Sequence, residues 1–141
     1  MMLLLLAGTL VAACANSTTN TGIVVKAGTW SYSLSEGIPT PGSSCKVTAS
    51  GTATVAADGS YSVTFPALSC SGCTMSASTS GSIVTVSISG TVSASIAGSG
   101  CSSQQPTPNP ASVSGSCDAS SCQANTADGD SFSVTYTLTP P

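Results

Sequence analysis

From residue 23 onward, apolar residues alternate with serine or threonine at a period of two along most of the chain. Successive side chains of a β-strand point to opposite faces of a sheet, so this alternation predicts strands with one buried and one exposed face. No stretch after residue 22 has a convincing helical period. The pattern therefore predicts an all-β domain. It is clearest at residues 30–35, 47–55, 61–65 and 132–138.

Turn-forming stretches divide this pattern into eight short strands. That number of antiparallel strands fits either a meander closed into a barrel or a two-sheet sandwich. Residues 98–110 contain three prolines and are expected to form a long surface loop, because proline cannot donate the backbone hydrogen bond of a central strand. The predicted strands are 27–35, 46–56, 60–66, 73–79, 83–89, 91–97, 111–117 and 131–139.

Residue parity predicts how the second and third strands pair. Facing residues of an antiparallel pair lie on the same side of the sheet. Val55 and Tyr61 both have odd numbers, so the loop between them must hold an odd number of residues. Ala57–Gly59 fits a three-residue hairpin. This register places Val55 opposite Tyr61 and Ala53 opposite Val63.

The segment 84–96 is apolar at its even positions, apart from Gly90, and has serine or threonine at every odd position. A two-residue turn at Ser89-Gly90 would pair odd with even residues and bring opposite faces together. We therefore expect a tight hairpin with an odd loop near residues 89–91. One long strand that bends at Gly90 is the alternative.

Charge is scarce in this chain of 141 residues. Charged residues make up 5% of it, against roughly 25% in an average soluble domain. Lys26 and Lys46 are the only bases, and the formal net charge is −3. Because no basic patch could neutralise a phosphate backbone, the composition argues against nucleic-acid binding. The acidic residues are Glu36, Asp58, Asp118, Asp128 and Asp130.

The same composition leaves little for catalysis or for a cofactor. The chain has no histidine, which excludes Ser-His and Cys-His activation of a nucleophile. The acids are too few to suggest a catalytic carboxylate pair. The stretch Asp128–Asp130 could ligate calcium, but a turn before the last strand is the favoured interpretation. We expect a protein that is not an enzyme and that holds no metal or cofactor.

Seven cysteines in so short a chain indicate an oxidising compartment, where disulfides persist. Cys70 and Cys73 form a CxxC pair that could belong to a four-thiolate zinc site or to a redox centre. Disulfides are favoured over both, because an even number of cysteines follows the N-terminal one. These six are Cys45, Cys70, Cys73, Cys101, Cys117 and Cys122.

Hairpin register favours one of the disulfides. Extending the pairing of the second and third strands sets Cys45 opposite position 71, so a Cys45–Cys70 bond would close the open end of that hairpin. Cys117–Cys122 could staple a turn, which leaves Cys73–Cys101, although other pairings of six cysteines are possible. Since the core is rich in Val, Ala and Gly, such bonds are expected to supply much of the stability.

Residues 1–13 form an uncharged apolar run that is too short to span a bilayer and is typical of a signal peptide. The stretch Val-Ala-Ala-Cys at 11–14 resembles the lipobox of bacterial lipoproteins, although no Lys or Arg precedes the apolar run. The resemblance implies that Cys14 receives acyl chains such as palmitate and becomes the N-terminus. Residues 14–22 would then be a flexible tether, and 23–141 would be the folded domain.

The same resemblance implies an exported protein whose acyl chains bind the lipid bilayer of the outer membrane or cell surface. Ordinary secretion is the competing interpretation, since Ala13 and Ala15 fit a small-x-small cleavage site that would remove Cys14 and leave a soluble protein. Both cuts leave the same six cysteines, so their number does not distinguish the two. We expect the anchored form.

The leading functional hypothesis is a surface-anchored structural or interaction module whose loops meet a protein or glycan partner. Gly28-Thr29-Trp30 at the start of the first strand resembles the first-strand motif of lipocalin-like barrels. That resemblance implies a small apolar ligand in the barrel interior. The aromatic residues that could plug this interior are Trp30, Tyr61, Phe65 and Phe132.

A third hypothesis is carbohydrate binding by rows of outward hydroxyls, such as Thr135, Thr137 and Thr139. Outward hydroxyls also keep an uncharged sheet soluble. That simpler explanation is favoured.

Overall fold

A computed structural model describes residues 22–103 and 105–141 of the protein. These residues form nine β-strands and no helix, which confirms the all-β prediction, and none of them belongs to a helix that could cross a membrane. Cys14, the predicted leader 1–13 and all but the last residue of the predicted tether 14–22 lie outside the described residues. The strands are β1 (Gly28–Thr40), β2 (Ser43–Val55), β3 (Ser60–Thr64), β4 (Leu68–Cys70), β5 (Cys73–Val84), β6 (Ser87–Ala97), β7 (Ala111–Cys117), β8 (Cys122–Thr126) and β9 (Ser133–Thr139).

Eight of these strands close into an antiparallel barrel. Hydrogen bonds link them in the order β3-β2-β1-β9-β8-β7-β6-β5, and β5 pairs back with β3. The short strand β4 pairs with β5 as an extra strand. This last pairing closes the sheet, because it joins the strands at its two edges. Of the two predicted architectures, the protein has the barrel.

The barrel interior holds the apolar face that the alternation predicts. β1 points Trp30, Tyr32 and Leu34 inward, and the serines between them point outward. The rings of Tyr32 and Phe65 lie 5.3 Å apart, and those of Phe65 and Tyr136 lie 5.7 Å apart. These rings meet across the interior, so side chains fill it.

The hairpin predicted near residues 89–91 is wrong. β5 and β6 are joined instead by a two-residue turn at 85–86. The turn pairs Ile83 with Ile88, so the inward face changes from odd to even numbers across it. The valines beside the turn are exposed, and the alternation in the sequence therefore does not mark the inward face there. Gly90 lies within β6, which runs through it as one strand.

The sequence pattern does not predict β4 and β8. β8 alternates buried Cys122, Ala124 and Thr126 with exposed Gln123 and Asn125, but these residues are too weakly apolar to stand out. β4 has only three residues. β1 and β2 have 13 residues each and are longer than predicted. The described part of the predicted loop 98–110 contains no strand, as expected.

The predicted pairing of β2 with β3 holds near the tip of their hairpin. Val55 lies opposite Tyr61, as predicted. The ladder contains one further residue pair and stops before Ala53 and Val63, so these two do not pair. The rest of the hairpin lacks a backbone ladder between its two arms.

The six cysteines of the domain form three disulfides: Cys45–Cys70, the pair that the sequence analysis favours, and Cys73–Cys101 and Cys117–Cys122, which it names among several possibilities. Cys45–Cys70 joins β2 to β4, at the end of the hairpin where no ladder connects the arms. Cys73–Cys101 ties the start of β5 to loop 98–110, and Cys117–Cys122 joins β7 to β8. Three disulfides in a small domain are typical of proteins that fold in an oxidising compartment.

The connections between strands lie at two ends of the barrel, because hydrogen-bonded neighbours in the barrel run in opposite directions. At the entry end, segment 22–27 leads into β1, beside the turns 56–59, 85–86 and 118–121. The opposite end, here called the loop end, carries the turns 41–42 and 71–72 and the loops 98–110 and 127–132.

Candidate functional site

An open cleft of about 370 Å³ lies on the outside of the barrel at the loop end. Loop 127–132 forms one side of it, and outward residues of β1, β8 and β9 form its floor. We call it the polar cleft, because hydroxyl, amide and carboxylate groups dominate its surface. Its polar residues include Gln123, Asn125, Asp128, Asp130, Ser133 and Thr135.

Strand register brings the floor of the polar cleft together. Thr135 of β9 lies opposite Asn125 of β8, and Ser133 lies opposite Gly37 of β1. Gly37 leaves the floor open, because a Cβ added to it would collide with the Ser133 hydroxyl unless that side chain turned away. Groups that are far apart in the sequence therefore face one space.

Loop 127–132 adds carboxylates to the cleft and is fixed in place. Thr107 N–H donates a hydrogen bond to the Ser131 hydroxyl at 2.8 Å, and Ser131 N–H donates to the Thr107 carbonyl at 3.0 Å. This reciprocal pair ties the loop to loop 98–110. The Oδ2 atom of Asp130 is buried and has no hydrogen-bond partner among the described residues. The loop thus holds an acceptor with unused capacity.

The Asp128–Asp130 stretch forms a turn, as the sequence analysis favours, closed by a hydrogen bond from Asp130 N–H to the Ala127 carbonyl at 3.1 Å. Across the described residues, no group of three or more His, Cys, Asp or Glu side chains is placed to hold a metal ion. The amides of Gln123 and Asn125 donate and accept hydrogen bonds, and the carboxylates accept them. Such a surface suits ligands that carry hydroxyl or amine groups.

A second unusual carboxyl group lies inside the barrel, on the part of β1 that runs toward the loop end. Glu36 is 0% exposed, and neither carboxylate oxygen has a hydrogen-bond partner among the described residues. In the sheet it lies between Val47 of β2 and Val134 of β9. Burial raises the pKa of Glu36 from 4.5 to about 7. Glu36 therefore exchanges a proton near neutral pH.

The sequence analysis treats Glu36 only as one of five acids and does not predict its burial. The even residue number of Glu36 would have indicated that its side chain points inward. Trp30, Tyr32 and Leu34 are inward and even, and Glu36 continues that series along the same strand. Parity alone would therefore have placed its carboxyl group inside the barrel.

Three hydroxyl groups in the barrel core form a hydrogen-bonded cluster. The Tyr61 and Tyr136 hydroxyls lie 2.6 Å apart, and the Thr79 hydroxyl lies 3.0 Å from that of Tyr136. Thr79 also donates to the Thr91 carbonyl at 2.9 Å. Burial is the main cause that raises the pKa of both phenols, so they stay neutral. The cluster links β3, β5 and β9 and leaves these hydroxyls hydrogen-bonded to one another.

The predicted site residues lie in several places. The four aromatic residues proposed to plug the interior are all buried. Of the threonines proposed to bind carbohydrate, Thr135 lines the polar cleft, whereas Thr137 and Thr139 lie farther along β9 toward the entry end. The structure also brings Gln123, Asn125 and Asp130 to Thr135, which the sequence analysis misses because it does not predict β8.

Comparisons with known proteins add no relative to this description. Protein-family models, curated proteins and solved structures all gave no match to the chain. The function must therefore be inferred from the barrel itself.

Proposed function

We propose that this protein is a non-catalytic module that a lipid anchor on Cys14 holds at the outer membrane or cell surface, with the loop end of the barrel displayed to partners. The observation that supports the proposal is that the N-terminal segment and the polar cleft lie at opposite ends of the barrel. The chain leads into the barrel at the entry end, whereas the polar cleft and the longest loops lie at the other.

The barrel is long enough to act as a spacer. β1 has 13 residues and runs from the entry end to the loop end. At about 3.3 Å per residue it spans roughly 40 Å, and strand tilt reduces the height of the barrel to roughly 30 Å. An anchor beyond the entry end would therefore hold the polar cleft well clear of the lipid headgroups.

The disulfides support an exported location. Three of them stabilise the domain, and such bonds persist outside the cytoplasm. The six cysteines of the domain pair with one another in these bonds, so the proposed acylation of Cys14 does not compete with them.

Mass spectrometry of the full chain, purified from the membranes of a bacterial host that exports it, tests the anchor. We expect a chain that begins at Cys14, carries acyl chains and contains three disulfides. The Cys14→Ser variant keeps the six domain cysteines, so it should fold and be released without acyl chains. An unmodified N-terminus at Asn16 in the parent protein would refute the anchor and support ordinary secretion.

A second candidate function is binding of a polyhydroxylated ligand such as a glycan in the polar cleft. The buried, unpartnered Oδ2 of Asp130 favours it, because a small side-chain movement would present this acceptor to a ligand hydroxyl. On immobilised glycans, Asp130→Asn and Asn125→Ala should weaken binding. Thr52→Ala is the matched control, since Thr52 is exposed on β2 away from the cleft. Equal binding by all variants would exclude the cleft.

The lipocalin-like alternative agrees with the barrel fold, but aromatic side chains occupy the interior where its ligand would bind. A ligand would have to displace the ring of Phe65 and the rings of Tyr32 and Tyr136 that pack against it in the interior. It would also have to separate the Tyr61 and Tyr136 hydroxyls. Native mass spectrometry tests this alternative, because a ligand enclosed in the barrel would appear as an added mass that unfolding releases.

A further inference from the structure

The exposed large apolar side chains of the described residues lie at the entry end. Val24 is 68% exposed, Val84 is 61% exposed and Val86 is 43% exposed, and no other large apolar residue in the described ranges is as open. Single exposed apolar residues are common on protein surfaces. Three at one end of a barrel, with none at the other, call for a physical explanation.

The three valines lie on two segments that a backbone hydrogen bond joins. Ile23 N–H donates a hydrogen bond to the Thr85 carbonyl at 2.7 Å, which lays the entering chain against the turn between β5 and β6. Val24 follows the donor, and Val84 and Val86 flank the acceptor. A Cβ added to Gly22 would lie 3.0 Å from a methyl carbon of Val86, so the chain passes close to that side chain. We call these three residues the valine patch.

We infer that the valine patch is a contact surface for the lipid bilayer, an inference that rests on the proposed anchor at Cys14. Gly22, where the chain reaches the patch, lies eight positions after Cys14. Fully extended, these eight steps of the chain span about 28 Å, and as a flexible chain they average about 16 Å. The acyl chains therefore hold the patch within reach of the bilayer surface.

The charges around the patch select the type of lipid. Asp58 and Asp118 lie on the other two turns of the entry end, and Lys26 lies on the entering segment. Hydrogen bonds from Ser60 and Ser120 lower the pKa of Asp58 and Asp118 respectively, so both stay ionised. Two carboxylates outweigh one ammonium group, and the patch therefore suits zwitterionic lipid better than anionic lipid.

The patch orients the barrel rather than attaching it. Three valine side chains are too small to hold the protein on a bilayer, and the acyl chains proposed on Cys14 supply the stable attachment. Contact through the entry end would set the barrel axis upright and point the polar cleft away from the membrane.

Hydrogen–deuterium exchange on the acylated full chain, bound to phosphatidylcholine vesicles, tests the inference. Peptides covering 22–26 and 84–87 should exchange about fivefold more slowly than in the Cys14→Ser protein in solution. Peptides covering loop 127–132 should exchange equally in both states. A Val24→Ser/Val84→Ser/Val86→Ser variant should remain on the vesicles but lose the protection. Its thermal unfolding serves as the check on folding, because all three changes lie at exposed sites.

The outcomes separate the inference from the anchor. If the parent protein does not sediment with vesicles, the anchor fails. If it sediments but the triple variant exchanges at the same rate as the parent, the bilayer contact is refuted. If protection of these peptides in solution grows with protein concentration, the valine patch contacts a second copy of the protein, and the bilayer contact is refuted. Protection that increases when about a third of the lipid is anionic contradicts the charge argument.

Discussion

The two ends of the barrel differ in the length of their connections and in the number of their disulfides. At the entry end, tight turns bond to one another through the backbone: Ile83 N–H donates to the Gly59 carbonyl, and Cys117 N–H donates to the Val86 carbonyl, each at 2.9 Å. The loop end has two tight turns and also the long loops 98–110 and 127–132, and it holds two of the three disulfides. Covalent bonds are therefore more numerous at the end that has the longer connections.

The two ends also differ in their unsatisfied groups. The described carboxylate oxygens that are buried without a partner belong to Glu36 and Asp130, in the half of the barrel toward the loop end. Buried polar groups that lack hydrogen bonds reduce stability, and each one in a folded protein calls for an explanation. The comparison teaches that the buried carboxylate oxygens without a partner lie toward the loop end, whereas the exposed large apolar side chains of the described residues lie at the entry end.

Removing one disulfide from each end should give the largest effects. Bond Cys73–Cys101 closes a separation of 28 residues, and Cys117–Cys122 closes one of five. Chain entropy then predicts losses of about 3.5 and about 2 kcal/mol in the free energy of unfolding. Urea unfolding of Cys73→Ala/Cys101→Ala and Cys117→Ala/Cys122→Ala measures both. Equal losses would contradict the stronger dependence of the loop end on covalent bonds.

The buried carboxyl group at Glu36 should make stability depend on pH. Its folded pKa of about 7 lies above its value of 4.5 in an exposed site, so the folded state holds the proton more tightly. The resulting stability is complete below about pH 4.5 and is lost as the pH rises through 7, a change of about 3 kcal/mol. The pKa values of Asp58 and Asp118 are lowered, so these two groups change the stability only at a pH below this range.

Urea unfolding at about pH 4.5 and about pH 8 measures this change. The matched control is Glu36→Gln, which keeps the shape of the side chain and has no proton to lose. Its stability should be nearly constant across the range. If the control shows the same slope as the parent protein, the pH dependence arises from another group.

The sequence predicts the inward faces well where apolar and hydroxyl residues contrast strongly. Parity places Trp30, Tyr32 and Leu34 correctly, and it places Val55 opposite Tyr61. It fails at the turn between β5 and β6 because exposed valines continue the alternation of the buried ones. Local alternation reports polarity and not the point at which a chain reverses.

The polar cleft was beyond prediction for a different reason. It depends on the register that sets Thr135 beside Asn125, and β8 has too little apolar contrast to be recognised as a strand. Loop 127–132 is held by backbone contacts with Thr107, which no local pattern encodes. Of the polar residues of the cleft, the sequence analysis names only Thr135, within a row of outward hydroxyls, and the Asp128–Asp130 stretch, as a possible calcium site, as candidates.

The smallest expected effects come from a pair of matched substitutions, one at each end, that should differ in sign. Asp118 at the entry end accepts hydrogen bonds from Ser120 N–H, the Ser120 hydroxyl and Ser121 N–H, at 2.7, 2.7 and 2.9 Å. Asp118→Asn weakens these bonds and should lower the urea midpoint. Asp130→Asn removes charge from a group with a buried, unpartnered oxygen, and it should raise the free energy of unfolding by about 0.5 kcal/mol. A loss of stability in Asp130→Asn would mean that the carboxylate serves the fold, and the polar cleft would then lose its strongest claim to a ligand.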